Sequence, residues 1–288
     1  MENRQVKKIG IVLSGGLARG AVQLAFAKQM VEKIGYERLK LLSASSIGSI
    51  NAYSIACKSY DQMLSLYRKF DIESTKALNL YVRNRLFNKI FNGIESSEMV
   101  VPTYVTGTKL FGLETYYFYL NKMDRNSVRT TLNISMSFPM VNGPHRLHKR
   151  TLFIDGGATD NIPIYPMLHE DLDMVIILHC YPKYYPPIKL FSDKTIVIDV
   201  DVTLELDKSI TSFSFSKDKL NDMADIGEAE GKRFAENIFS DYDWESIKSR
   251  CFAFTNSNIE KRKMKSGDGL MSFADVLNCL FNMKGYVR

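Results

Sequence analysis

Residues 8–20 read K-I-G-I-V-L-S-G-G-L-A-R-G, from Lys8 to Gly20. The apolar run Ile9–Leu13 stops at Ser14, where Gly15 and Gly16 open a tight turn. Gly20 then begins a helical pattern to Ile34, with Ala21, Leu24, Ala25, Ala27 and Met30 available for packing. A short run rich in Ile and Val between turn signals reads as a strand buried on both faces of a parallel sheet. The pattern repeats at once. Leu39–Ser43 predicts a second strand, A-S-S-I-G-S (Ala44–Ser49) a second turn, and Ile47–Cys57 a second helix. Strand, helix, strand, helix from the start predicts an α/β fold: a three-layer α/β/α sandwich around a mainly parallel sheet.

Further along, Tyr60–Asn92 reads as helical in two or three pieces. Thr103–Thr108 and Glu114–Leu120 read as strands joined near Gly112, and Asp124–Ser135 as a helix. Phe153–Ile154 ends a strand at Asp155, within I-D-G-G-A-T-D-N-I-P (Ile154–Pro163). Asp173–His179 and Thr195–Val202 read as strands, Lys219–Phe239 as a helix, and residues 240–282 as helical. No linker forces a boundary. The expected organisation is a single domain over residues 1–288, with a core of about 6–240 and a helical C-terminal segment of about 240–288.

The composition, 45% hydrophobic and 24% charged, is that of an ordinary globular chain. A net charge of +6 is a mild basic bias, which permits attraction to anionic surfaces without requiring it. Cys57, Cys180, Cys251 and Cys279 form no C-x-x-C pair. Neither a cofactor nor a metal is expected, nor a nucleic-acid partner. After Met1 come ENRQVKK and then only five apolar residues, unlike a secretory leader. No apolar run reaches the ~18 residues of a membrane-spanning helix. The expectation is a cytoplasmic protein, at most peripheral to a membrane.

Ligands of open α/β sheets bind at the carboxyl ends of the strands, where all three turns fall. A serine at the apex of a strand–turn–helix is the nucleophile-elbow arrangement, usually G-x-S-x-G; here it is Ala44-Ser45-Ser46-Ile47-Gly48. Gly48 lets the strand and helix backbones approach. The plainer reading makes Ser46 an N-cap of the helix that follows, and Ser43, Ser45 and Ser49 lie close by. The glycine loop fits neither the dinucleotide fingerprint G-x-G-x-x-G nor a P-loop. Its amides around Gly15, Gly16 and Leu17 suit an oxyanion hole. Arg19 opposes the macrodipole in the first helical turn, which gives it interest beyond packing as a further member of the oxyanion hole; a side chain that simply reaches solvent is the alternative. Asp155 with Gly156 and Gly157 puts a carboxylate at a strand end, although a plain Asp-Gly turn reads the same way. Asp160 competes as the carboxylate but has no strand to hold it.

Together, Gly15-Gly16-Leu17-Ala18-Arg19-Gly20, Ala44 to Gly48, and Asp155-Gly156-Gly157 with Asn161 and Pro163 resemble the patatin-like phospholipases. Ile50-Asn51-Ala52 and Ser137-Phe138-Pro139 add to the likeness, which covers roughly residues 6–240. Leu17 stands where that family carries a third loop glycine, and Ala44 where it carries the first elbow glycine. The resemblance implies a Ser46–Asp155 dyad that hydrolyses lipid or phospholipid esters, with Gly48, Gly156 and Gly157 supporting the turns. Of the four histidines, His145 and His148 lie in a basic run. His169 reads as surface and His179 as a buried strand end, although both follow Asp155 and a triad stays open. Arg146, His148, Lys149 and Arg150, and separately Lys261, Arg262, Lys263 and Lys265, could meet an anionic head group or membrane; a solvated loop is the alternative. Two rival functions stay open as well: an inactive lipid-binding scaffold of the same fold, and a nucleotide-binding module using the glycine loop.

Overall fold

The computed structural model describes residues 4–71, 91, 92, 94, 98–137, 146–148, 151–181 and 187–266, with side chains left aside at 146–148 and 263–266. The strands are β1 (Ile9–Leu13), β2 (Leu39–Ala44), β3 (Thr103–Lys109), β4 (Thr115–Tyr119), β5 (Arg146–His148), β6 (Thr151–Asp155), β7 (Met174–His179) and β8 (Ile196–Asp201). The helices are α1 (Gly20–Ile34), α2 (Ile47–Ala56), α3 (Tyr60–Lys69), α4 (Arg125–Ser135), α5 (Lys217–Ile238) and α6 (Trp244–Ser266). Of the helical stretches expected at 60–92 and 240–282, residues 72–90 and 267–282 lie outside the described residues.

The eight strands form one sheet in the order β5-β6-β3-β2-β1-β7-β8, with β4 also paired to β3. Strands β3-β2-β1-β7-β8 run parallel, while β4, β5 and β6 are antiparallel to their neighbours. The sheet is thus mostly parallel and flanked by helices, as the strand–helix alternation predicts. Alternation along the central strands divides the core. Ile9, Ile11 and Leu13 of β1, with Met174, Ile176 and Leu178 of β7, join the large cluster that includes α1, α2, α3, α4 and α5. Val12, Val175 and Ile177 face the other way, into a smaller cluster with Ile162, Ile164, Met167 and Leu172. Helix α6 starts in the large cluster through Trp244, Ile247 and Cys251, and its Arg262 reaches Asp199 on the second face of β8.

The pairing along β3 positions the site. Its N-terminal half pairs with β2, ending at Ala44 opposite Val105. Further along, β6 pairs with β3 and ends at Asp155 opposite Gly107. Strand β4 fills the opposite edge from Tyr104 to Thr108. Therefore β2 and β6 meet nearly end to end along one edge of β3, and the chain leaving β2 runs directly towards Asp155.

Candidate active site

The elbow is fixed by its backbone. The Ser45 amide donates to the Leu13 carbonyl at 3.1 Å, tying the turn to the end of β1. Thr106 Oγ1 donates to Ser45 Oγ at 2.8 Å, tying it to β3. A Cβ at Gly48 would lie 2.5 Å from the Leu13 carbonyl oxygen and 2.6 Å from that of Ser14, so only glycine lets α2 start this close to β1. Ser46 takes φ +52°, a left-handed conformation that costs a non-glycine residue energy and recurs at functional turns. Its side chain makes no cap bond to α2. Instead Ser46 Oγ donates to Asp155 Oδ2 at 2.8 Å. The other serines are occupied elsewhere or turned away: Ser45 bonds Thr106, Ser49 bonds Ser135, and Ser43 is fully buried in β2.

Asp155 ends β6 and is 1% exposed; Ser46 is 8% exposed. The carboxylate is held at both oxygens, Oδ2 by Ser46 and Oδ1 by the Gly157 amide at 2.8 Å. Its backbone is fixed by Thr108 Oγ1, which donates to its carbonyl at 2.8 Å, and by its own amide, which donates to the Ser137 carbonyl at 3.1 Å. Gly156 packs against Thr106. Burial pushes the Asp155 carboxyl up to about 7, against the opposing pull of its two donors. That is near the value of an effective base at neutral pH.

In the glycine loop the amides divide. The Gly15 amide donates to the Asn161 carbonyl at 3.3 Å, and that of Ala18 to the Ser212 carbonyl at 3.0 Å. Gly15 therefore offers no donor, which corrects its expected place in an oxyanion hole. Among the described residues, the amides of Gly16 and Leu17 have no acceptor. Leu17 takes φ +54°. The Arg19 guanidinium turns to the Cys180 carbonyl at 3.4 Å, bracing the loop against the strand end of β7.

Several supporting residues carry no motif. Gln23 Nε2 donates to the carbonyls of Ser14 (3.0 Å) and Leu178 (3.1 Å), and Asn51 Nδ2 donates to Gln23 Oε1 (3.1 Å) and the Gly20 carbonyl (3.0 Å). Tyr67 donates to Asn51 Oδ1 at 3.1 Å. This buried chain fixes the carbonyl side of the glycine loop. Of these residues only Asn51, in I-N-A after the elbow, lies in a stretch that the sequence marks.

Asp160, expected to be loosely held, is buried, and Tyr117 Oη donates to its Oδ2 at 2.5 Å. Burial raises its carboxyl to about 6. His179 is fully buried. Its Nδ1 accepts from the Tyr181 amide, and its Nε2 lies 2.6 Å from Asp199 Oδ1. Both ring nitrogens are therefore engaged away from Ser46. His169 is exposed and packs edge-on against Tyr165, while His145 and the side chain of His148 lie outside the described residues. Arg262, expected in a solvated basic run, is 8% exposed and pairs with Asp199 at 2.8 Å, so it is not free to meet a membrane. Lys261 pairs with Glu205. Lys149, Arg150 and the side chains of Arg146, Lys263 and Lys265 lie outside the described residues. Among the described residues no group of three or more His, Cys, Asp and Glu could hold a metal ion, and no helix is long and apolar enough to cross a membrane.

Solved structures similar to this one include VipD from Legionella pneumophila, at 13% identity and a TM-score of 0.42 over 99% of this chain and 87% of that one. ExoU, in its heterodimeric complex with SpcU from the type III secretion system of Pseudomonas aeruginosa, gives 13% identity and a TM-score of 0.42 over 98% and 68% of the respective chains. No curated protein matches the sequence. The family model described as patatin-like phospholipase matches residues 11–168, which span β1, the glycine loop, the serine elbow and the Asp155 turn. The chain belongs to the patatin-like phospholipase family.

Proposed function

We propose that the protein is a lipid acyl hydrolase, of phospholipase A type or a related esterase, acting through an acyl-Ser46 intermediate. Membership in the family supports lipid ester hydrolysis as the class of activity. The observation that carries the finer reading is the 2.8 Å hydrogen bond between Ser46 Oγ and a buried Asp155. An N-cap serine would bond the first turn of α2, and this one does not.

In this reading Asp155 Oδ2 takes the hydroxyl proton as Ser46 Oγ attacks the ester carbonyl carbon. The carbonyl oxygen becomes an oxyanion facing the Gly16 and Leu17 amides. Collapse breaks the bond to the alcohol, which leaves with the proton from Asp155. Water then gives its proton to Asp155 and attacks the acyl-serine, releasing the fatty acid and regenerating the hydroxyl. The base contributes typically 10²–10⁴-fold, and each oxyanion donor about 10²–10³-fold. The raised carboxyl of Asp155 suits the task, because an ordinary aspartate near ~3.9 is too weak a base at pH 7.

The test is covalent labelling with a fluorophosphonate. One adduct on Ser46, lost in Ser46→Ala together with release of fatty acid from phospholipid, is the expected result. An unlabelled wild-type protein that nonetheless retains phospholipid would make it an inactive scaffold. Saturable nucleotide binding would assign the glycine loop to the rival module.

A further inference from the structure

The turn between β3 and β4 is built against the usual rules for turns. Its residues are Leu110-Phe111-Gly112-Leu113, closed by the Lys109 amide donating to the Glu114 carbonyl at 2.9 Å. Hairpin tips are ordinarily made of Asn, Asp and Gly. Here Phe111 is 77% exposed and Leu113 53% exposed, and Leu113 sits at φ +48°, a conformation that glycine or asparagine would take at less cost. Two large apolar side chains in water, one of them on a strained backbone, gain nothing from the fold.

The location of this tip is specific. β3 runs parallel to β2 and passes the end of β2 at Val105, then flanks Asp155 at Gly107. The turn begins five residues beyond Val105, so it stands on the order of 17 Å past the end of β2, on the same side as Ser46. Behind it lies a collar on the edge strand β4. Tyr116 is half exposed, and Lys109 Nζ sits 5.8 Å from the centre of its ring while pairing with Glu114 Oε2 at 2.9 Å, a partner it would exchange for a lipid phosphate. An apolar tip, then a tyrosine with a lysine beside it, is the order of groups across a bilayer interface: apolar side chains among the acyl chains, aromatic rings and cations at the head groups. The backbone of Arg146 and His148 runs in β5, paired with β6 alongside the same hairpin, and the chain carries a net charge of +6. The net charge favours an anionic lipid surface.

We infer that the β3–β4 hairpin is an interfacial anchor: Phe111 and Leu113 insert into the surface of a lipid bilayer and bring the Ser46 end of the sheet down onto it. This rests on the proposed lipid hydrolase activity for its purpose, but not for its test. Membrane binding is measured without turnover, and turnover is measured without a membrane.

The experiment compares wild type, Phe111→Ser/Leu113→Asn and Ser46→Ala by co-sedimentation with vesicles of phosphatidylcholine alone and with added phosphatidylserine. A soluble short-chain ester is assayed in parallel. The double variant is expected to partition at least about tenfold less, given the apolar area withdrawn. It should keep its rate on the soluble ester and melt no lower than wild type, because asparagine suits position 113 better than leucine. Ser46→Ala should sediment like wild type and hydrolyse neither substrate. A second variant, Phe111→Trp, gives a positive signal: its fluorescence should shift to the blue on vesicle addition, over the constant background of the single, buried Trp244. Equal sedimentation of wild type and double variant, or a Phe111→Trp emission spectrum that vesicles leave unchanged, overturns the anchor. So does a wild-type dimer that the double variant converts to monomer without a change in vesicle binding, which would make the tip a contact between copies. A wild type that binds vesicles through the tip and cleaves no ester would sink the hydrolase reading and leave the anchor standing.

Discussion

β1 and β2 lie side by side, run the same way, and both end in a turn that opens a helix. In each turn one non-glycine residue sits at nearly the same left-handed φ, +54° at Leu17 and +52° at Ser46. The two turns use that conformation for opposite ends. At the elbow it presents a side chain: the Ser46 hydroxyl is aimed at Asp155, and the backbone is tied down by the Ser45 amide and the closeness of Gly48 to β1. In the glycine loop it presents backbone: among the described residues the Gly16 and Leu17 amides have no acceptor, and the Leu17 side chain is half-buried. In the proposed mechanism, two adjacent turns of similar strain supply the two parts an acyl transfer needs, a nucleophile and a place for the oxyanion. The consequence is an asymmetry. Side-chain changes should be ruinous in the elbow and mild in the loop.

The largest expected effect tests that asymmetry directly. Ser46→Ala should lower phospholipid and ester hydrolysis by at least about 10³-fold, while Leu17→Ala, which keeps the amide, should stay within about tenfold of wild type. Circular dichroism and thermal melting confirm that both variants fold. Comparable losses in the two would break the comparison.

Next comes the partner of the elbow. In the proposed mechanism Asp155 must be charged to take the serine proton, so kcat/KM should rise with pH and level off above about 7. Asp155→Asn should cost on the order of 10²–10⁴-fold. Stability moves the other way. Burial raises the folded-state pKa to about 7 above the ordinary carboxylate value, so the folded protein holds this proton more tightly than the unfolded chain. The contribution of this group to stability is therefore most favourable below about pH 4 and falls as the pH rises towards 7. The asparagine variant removes that penalty, and urea unfolding should find it more stable than wild type at pH 8 by on the order of a few kcal/mol. The gap should close near pH 4. A rate flat from pH 5 to 8, with equal stabilities, would remove Asp155 as the base. His179→Ala, in contrast, should leave the pH profile in place, because both of its ring nitrogens are committed to Tyr181 and Asp199.

Gly48→Ala ranks third. The added methyl meets two carbonyl oxygens of the backbone rather than a movable side chain. The cost should be roughly 2–4 kcal/mol, read as a lower denaturation midpoint. A variant as stable as wild type would mean that α2 does not need its close approach to β1.

What can be read from the sequence follows the same division. The elbow, the glycine loop and the Asp155 turn are legible because each is a local pattern, small residues at fixed offsets after an apolar run. The strands β1, β2, β7 and β8 are legible for the same reason. Most of the contacts that hold the site come from residues outside the three turns, many of them far along the chain. Asp160 and Tyr117 are 43 positions apart, so the carboxylate reads as loosely held. Gln23 and Asn51 are polar residues on helices, a pattern that ordinarily marks the solvent side, yet they are buried against the carbonyls of the loop. Arg262 belongs to a run of cations, and nothing in K-R-K-M-K shows that one of them turns inward to Asp199. Gly15 reads as an oxyanion donor because it opens the loop, but its amide is taken by Asn161, far along the chain. The antiparallel arrival of β6 beside β3, which brings Asp155 to Ser46, is likewise a matter of pairing and not of motif.

The smallest expected effect is the most informative about the loop. Leu17→Gly restores the residue that the family pattern carries, at a position already in the left-handed region. Leucine there costs roughly 1–2 kcal/mol relative to a relaxed backbone, and glycine loses about 0.5–1 kcal/mol more entropy on folding than a residue with a side chain. The two nearly offset. A stabilisation of about 1 kcal/mol or less should appear, measured by urea unfolding, with kcat unchanged or slightly higher because the amide keeps its place. Should kcat instead fall tenfold in a protein that melts like wild type, the leucine side chain would be holding the Gly16 and Leu17 amides in register. The loop would then depend on a side chain after all, as the elbow does, and the contrast between the two turns would shrink to one of degree.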